Sequence, residues 1–172
     1  MCKNEPMRTN FCFAVASIFL SLLSACASLD GRGLVPGKST TAEIQGAMGA
    51  PAERLKRQNG DELWYYVRHP EGRVSYAITI GADGVMRTME QRLGRENFAK
   101  IVVGKSTRDE VRELLGPPSH VLHLRLKAMD VWEYPWREID EKRVLYVGFT
   151  GDGIVREVRE AHDAFSDRPS ID

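Results

Sequence analysis

Leu34-Val35-Pro36-Gly37-Lys38-Ser39-Thr40 and Ile101-Val102-Val103-Gly104-Lys105-Ser106-Thr107 are one stretch written twice, 67 residues apart. At the same offset Glu43 matches Glu110, Ile44 matches Val111, Gly49 matches Gly116 and Pro51 matches Pro118. The offset then grows to 68, where Glu62-Leu63-Trp64-Tyr65-Tyr66 meets Asp130-Val131-Trp132-Glu133-Tyr134. It reaches 69 where Asp83-Gly84-Val85 meets Asp152-Gly153-Ile154 and Arg87 meets Arg156. Agreement that keeps its order with so little drift marks an internal duplication.

Each copy spells out the same elements. Gly37 or Gly104 precedes a helix start. Thr40 with Glu43, and Thr107 with Glu110, have capping-box spacing, in which the hydroxyl takes one orphan amide and the Glu reaches back to another. Ile44, Ala47 and Met48, or Val111, Leu114 and Leu115, recur at helical period and define one apolar face. Gly49-Ala50-Pro51 and Gly116-Pro117-Pro118 stop the helix, because glycine tolerates the left-handed exit and proline cannot continue. Glu96 to Val102 predicts a short helix ahead of the second copy, with Phe98 and Ile101 or Val102 inward. Strands are expected over 63–68, 74–80 and 85–91, then over 131–137, 143–149 and 154–160. Ala82-Asp83-Gly84 and Gly151-Asp152-Gly153 are hairpin turns.

The expected fold is α+β. It has two tandem α-α-β-β-β units, 34–93 and 94–162, with helices packed on one face of antiparallel meander sheets. A unit of about 60 residues is marginal alone, so the two are expected to share or extend one sheet. One continuous sheet and two facing sheets both satisfy the sequence. Residues 163–172 read as a polar tail.

Upstream, Lys3 and Arg8 precede an apolar run from Phe11 to Leu23 that closes in Leu22-Leu23-Ser24-Ala25-Cys26. That is the layout of a secretory signal, and the run falls short of the roughly 20 apolar residues of a spanning helix. A start at Met1 or at Met7 fits equally. The residues before Cys26 resemble a lipobox. The resemblance implies cleavage after residue 25, a covalent lipid on Cys26 and a lipidated linker over 26–33. Ala27, where an Asp commonly favours inner-membrane retention, points to an outer-membrane anchor facing the periplasm in a Gram-negative host.

The full chain balances 24 basic against 24 acidic side chains. Losing Lys3, Arg8 and Glu5 with the signal leaves the body acidic by one charge. A nucleic-acid partner would need a basic excess to neutralise phosphates, so none is expected. The three cysteines, Cys2, Cys12 and Cys26, all lie at or before the lipidation point. The body then has no disulfide, thiolate nucleophile or cysteine metal ligand, and no other cofactor is expected.

Gly37-Lys38-Ser39 and Gly104-Lys105-Ser106 mimic the end of a phosphate-binding loop, but Arg32 and Ala99 stand where that motif needs its first Gly. A helix start beside a lysine still makes Lys38 and Lys105 candidates for a lipid phosphate. His120 and His123 sit three apart in an alternating stretch where such residues face opposite ways, so no metal site is expected. Glu138, Asp140 and Glu141 read as a solvated turn. No Ser of the body lies in a Gly-x-Ser-x-Gly elbow, and the expectation is a protein without catalysis. Trp64 and Tyr66, like Trp132, Tyr134 and Trp136, share a strand face suited to packing against helices. Tyr65 and Tyr146 fall on the opposite face. Tyr65, Tyr146 and Trp136 are the candidate partner-binding residues, since such rings give large contact area at small entropic cost.

The repeated pattern resembles the BamE/SmpA family of outer-membrane lipoproteins. The second copy carries it at Gly104, Thr107, Glu110, Val111, Leu115-Gly116-Pro117-Pro118, Trp132, Tyr134 and Asp152-Gly153. The first copy carries it at Gly37, Thr40, Glu43, Ile44, Gly49, Pro51, Trp64, Tyr66 and Asp83-Gly84. The likeness spans residues 34 to 160. It implies a protein-binding scaffold in the envelope, with the outer-membrane barrel-assembly machinery as partner and a role in assembly or envelope integrity. Two departures stand out: that family usually carries a single unit, and Lys38 and Lys105 replace the Met that often follows the first Gly. Duplicated units of this shape are also similar to the β-lactamase inhibitory protein, which implies the alternative of a binding or inhibitory module for a periplasmic enzyme. A small envelope enzyme is a third reading.

Overall fold

A computed structural model describes residues 31–68 and 73–163. The chain runs α1 (Thr41–Met48), β1 (Glu53–Lys56), β2 (Glu62–Arg68), β3 (Val74–Ile80) and β4 (Met86–Gln91). It continues with α2 (Arg95–Phe98), α3 (Arg108–Leu115), β5 (His120–Leu124), a 3-10 turn (Arg125–Lys127), β6 (Met129–Glu138), β7 (Glu141–Phe149) and β8 (Val155–His162). The fold is α+β with two antiparallel sheets, ordered β1-β2-β3-β4 and β5-β6-β7-β8. The expected α-α-β-β-β order is therefore not what forms. Among the described residues one helix precedes the first sheet, two precede the second, and each sheet has four strands. The two sheets do not merge into one.

The duplication survives in individual hydrogen bonds. Both long helices start with a complete capping box, Thr40 with Glu43 and Thr107 with Glu110. Both are tied to the last hairpin of their sheet: Gly37 N–H donates to Met86 O and Gly104 N–H to Val155 O, each at 2.8 Å. The Tyr66 hydroxyl donates to Gly49 O and the Tyr134 hydroxyl to Gly116 O, both at 3.2 Å. A register shift falls between Thr79 and Ile80 in one sheet and between Gly148 and Phe149 in the other. Gly84 and Gly153 hold φ of 77° and 83°, the left-handed conformation their turns require.

Each helix buries its apolar face on its own sheet. Ile44 and Met48 of α1 pack with Trp64, Tyr66, Ile78, Ile80 and Met86. Val111 and Leu115 of α3 and Phe98 of α2 pack on Trp132, Tyr134, Trp136, Leu145, Val147 and Phe149. Phe98 meets Trp136 edge-on, with centroids 5.0 Å apart and planes at 85°, a geometry worth about 1 kcal/mol beyond the area it buries.

Helices do not keep to one face, contrary to expectation. The last turn of α3 also seats on the second face of the first sheet, where Leu63, Tyr65 and Ala77 form a separate buried cluster. The Tyr65 hydroxyl donates to Glu113 O, and the Ser75 hydroxyl donates to Leu115 O at 2.8 Å. Arg112 reaches Glu53 at 2.7 Å and Arg57 reaches Glu113 at 3.0 Å. The order of layers is thus α1, first sheet, α3, second sheet.

Candidate functional site

Strand register decides which residues can meet a partner. Tyr65 faces Glu53 and Ala77, and Ala77 faces Glu90, so Glu53–Tyr65–Ala77–Glu90 is one row across the first sheet. The row at the matching repeat positions of the second sheet is His120–Glu133–Tyr146–Arg159. In the first sheet this row is where α3 docks. Tyr65 is 0 % exposed there, and burial raises its phenol far above the ordinary value. The expectation that Tyr65 lies on an open docking face is thereby corrected: its ring belongs to the seam between the two halves.

Trp136 is also corrected as a surface residue. It is 3 % exposed and sits in the core of the second half, flanked by the guanidinium groups of Arg95 and Arg143 at 5.6 Å and 5.9 Å. Tyr146 differs from both. It is half-buried on the outer face of the second sheet, between Glu133 and Arg159. Burial, together with the Glu133 and Asp163 carboxylates, raises its phenol above the ordinary value. Leu122–Val131 and Pro135–Val144–Ala161 flank this row two residues along the strands, with Val131, Pro135 and Val144 buried and Leu122 and Ala161 exposed. The three helices among the described residues are all taken up elsewhere. Among the described residues, the face that α3 covers in the first sheet has no helical counterpart on the second.

Lys38 and Lys105 are both exposed in the loops before the capped helices. The amides around Lys38 already have protein acceptors. Lys38 and Ser39 donate to Val35 O, Thr41 donates to Gly84 O, and Thr40 donates to the Glu43 carboxylate at 2.8 Å. Thr107 donates likewise to Glu110 at 2.8 Å. The carboxylate of each capping box thus occupies the place a phosphate would take, which leaves the two ammonium groups as the groups able to hold one. A shallow cavity of about 330 Å³ lies beside Lys105, lined also by Lys100, Ser106 and Leu114.

His120 and His123 point to opposite faces of β5. His123 hydrogen-bonds Asp130 at 2.7 Å, and the same carboxylate accepts from Arg108 at 2.8 Å. This pins β5 to β6 and ties both to the start of α3. No group of three or more His, Cys, Asp or Glu among the described residues is placed to hold a metal ion. Cys26, the expected lipidation site, lies outside the described residues, as does most of the polar tail. No helix among the described residues is long and apolar enough to cross a membrane.

The residues that sequence reasoning missed are those of β5 itself. Their stretch alternates, but both of its phases carry apolar side chains, so periodicity alone gives no buried face. Comparison with protein-family models, curated proteins and solved structures finds no match for this chain.

Proposed function

We propose that this chain is a lipid-anchored envelope protein without catalysis, whose BamE-like tandem α/β units form a rigid scaffold for a protein partner. The observation that carries the reading is the inequality of the two sheets. The row Glu53–Tyr65–Ala77–Glu90 is covered by α3, whereas no helix among the described residues covers the equivalent row His120–Glu133–Tyr146–Arg159. A face that sets a half-buried tyrosine beside the exposed Arg159, with Leu122 and Ala161 exposed on either side, has the make-up of a protein-binding surface. The lipobox-like run ending at Cys26 supports anchoring in the outer membrane, and the likeness of the repeat to the BamE/SmpA family supports a place in barrel assembly or envelope integrity.

The test is mild cross-linking followed by pull-down from membranes, with the native chain and with Cys26→Ala. Recovery of barrel-assembly proteins with the lipidated form alone is the expected result. Tyr146→Ala is expected to reduce that recovery at least tenfold while leaving the protein folded. A soluble hydrolase bound equally by both forms would instead make the chain an inhibitory module, with the lipid serving as a tether.

A further inference from the structure

Four strands end the two sheets, and β5 is unlike the other three. β1 reads Glu53-Arg54-Leu55-Lys56, and its Glu53 is held by Arg112. β4 carries Arg87 and Glu90, and β8 carries Arg156, Glu157, Arg159 and Glu160. Charged side chains on an edge discourage further pairing. β5 reads His120-Val121-Leu122-His123-Leu124, with no lysine, arginine, carboxylate or proline, and all five residues are exposed. Among the described residues no strand pairs with its outer side. Its apolar groups stand on both faces: Val121 is 38 % exposed on one, Leu122 and Leu124 are 37 % and 36 % exposed on the other.

The ends of the strand add charge and shape. Arg125, Leu126 and Lys127 follow it, all exposed, and neither cation forms an ion pair among the described residues. From Pro117 to Met129 the chain has no carboxylate. A cavity of about 280 Å³ opens beside this end, lined by Leu124, Arg125, Met129 and Gly151 among others. The one carboxylate on its wall, Asp130, is engaged by Arg108 and His123.

We infer that the outer edge of β5 binds an extended acidic peptide segment of a partner protein, which adds a fifth strand to the second sheet. Unpaired backbone groups of the edge supply the hydrogen bonds, and alternate apolar side chains of the peptide lie on one face against Leu122 and Leu124. Carboxylates of the segment meet Arg125 and Lys127, and one apolar side chain enters the cavity beside Leu124. Charge favours this occupant over a second copy, because a second β5 edge, with no carboxylate from Pro117 to Met129, offers nothing to pair with Arg125 or Lys127. Five paired residues also bury far less than the roughly 1,200 Å² of a stable dimer. The inference rests on the reading of the chain as a protein-binding scaffold and gives the chemistry of what it binds.

The probes are three fluorescein-labelled nonapeptides offered to the purified full chain: alternating valine and glutamate, alternating valine and lysine, and the glutamate peptide N-methylated at every second amide. The glutamate peptide is expected to bind and to slow amide exchange at residues 120–124 at least tenfold. The lysine and N-methylated peptides are expected to bind at least tenfold more weakly. The double variant Arg125→Glu, Lys127→Glu lies wholly on exposed residues and is expected to lose the glutamate peptide by a similar factor. Equal binding of the two charged peptides, or no protection at 120–124, overturns the proposal. So does a peptide-free dimer in sedimentation velocity that is protected at 120–124, which would assign the edge to a second copy. If the peptides fail while membrane pull-down still recovers an assembly partner, the edge site alone falls and the scaffold stands.

Discussion

Gly49 and Gly116 occupy the same place in the two repeats and adopt the same backbone, φ 80° ψ −160° and φ 86° ψ −171°. That conformation is nearly restricted to glycine, and any other residue there costs about 1–3 kcal/mol. Their surroundings differ. A Cβ on Gly49 would meet nothing within 4 Å, whereas one on Gly116 would stand 2.8 Å from the Tyr65 ring and 2.9 Å from the Ser75 hydroxyl. Gly49→Ala is therefore expected to show the backbone cost alone. Gly116→Ala should show that cost plus about 1–3 kcal/mol for overpacking the seam. Urea midpoints of the two variants measure the difference, and equal losses would mean that α3 does not press on the first sheet. The sequence marks both glycines as helix stops but cannot distinguish them, because the atoms that do so lie about 40 to 50 residues upstream. The same blindness placed Tyr65 on a docking face. Alternation along β2 correctly turns Tyr65 away from Trp64, yet nothing local to it says that the helix of the other repeat covers that side.

At the scale of elements, the helices and the central strands were legible because each signal is local. A hydroxyl and a Glu at capping spacing, a glycine stop and Asp-Gly turns fix their ends within a few residues. β1 was not legible, and the stretch from Val121 to Lys127 that holds most of β5 was legible only as strand or loop. Glu53-Arg54-Leu55-Lys56 has a single apolar residue, and His120 to Leu124 carries apolar groups on both faces. Neither gives the one-sided alternation that marks a half-buried strand. The capping boxes themselves can be tested. Thr107→Ala should cost about 1 kcal/mol, since it orphans the Glu110 amide. In the first repeat, the Thr40 amide and then the Thr40 hydroxyl hold the Glu43 carboxyl below its ordinary value. In the turns, the Val85 amide and Arg87 lower Asp83, and the Thr150 hydroxyl lowers Asp152. A carboxyl whose pKa is lower in the folded state contributes stability above its unfolded pKa and loses it as pH falls through the folded one. Stability should accordingly decline from about pH 5 downward. The gap in urea midpoint between the native chain and Glu43→Gln should close across the same window. A gap unchanged at pH 3 would mean that the Glu43 charge is not what supports the cap.

For the whole molecule the question is whether two repeats make two folding units or one. Each half on its own would leave a surface without cover. The first sheet without α3 exposes Leu63, Tyr65 and Ala77, and α3 without the first sheet leaves Glu113 O and Leu115 O without the Tyr65 and Ser75 hydroxyls. A second link lies away from α3. Arg73, itself buried, pairs with Asp163 and donates to Arg143 O at 3.3 Å, which ties the start of β3 to the far end of the second sheet. Buried polar groups that rely on partners across the seam make its opening costly, at roughly 1–3 kcal/mol for each group left unsatisfied. The halves are therefore expected to unfold together, and native-state hydrogen exchange reads this directly. Core amides of β2 and β3 and those of β6 and β7 should share one global opening free energy in the native chain. Tyr65→Ala removes the ring at the seam, a loss of about 3–5 kcal/mol for a buried aromatic, and should separate the two sets, lowering β2 and β3 more than β6 and β7. Two distinct opening energies in the unmutated chain would instead mean that the seam is a contact between independent units. The face around Tyr146 would then sit on a half able to move against the other, rather than on a scaffold held at a fixed angle.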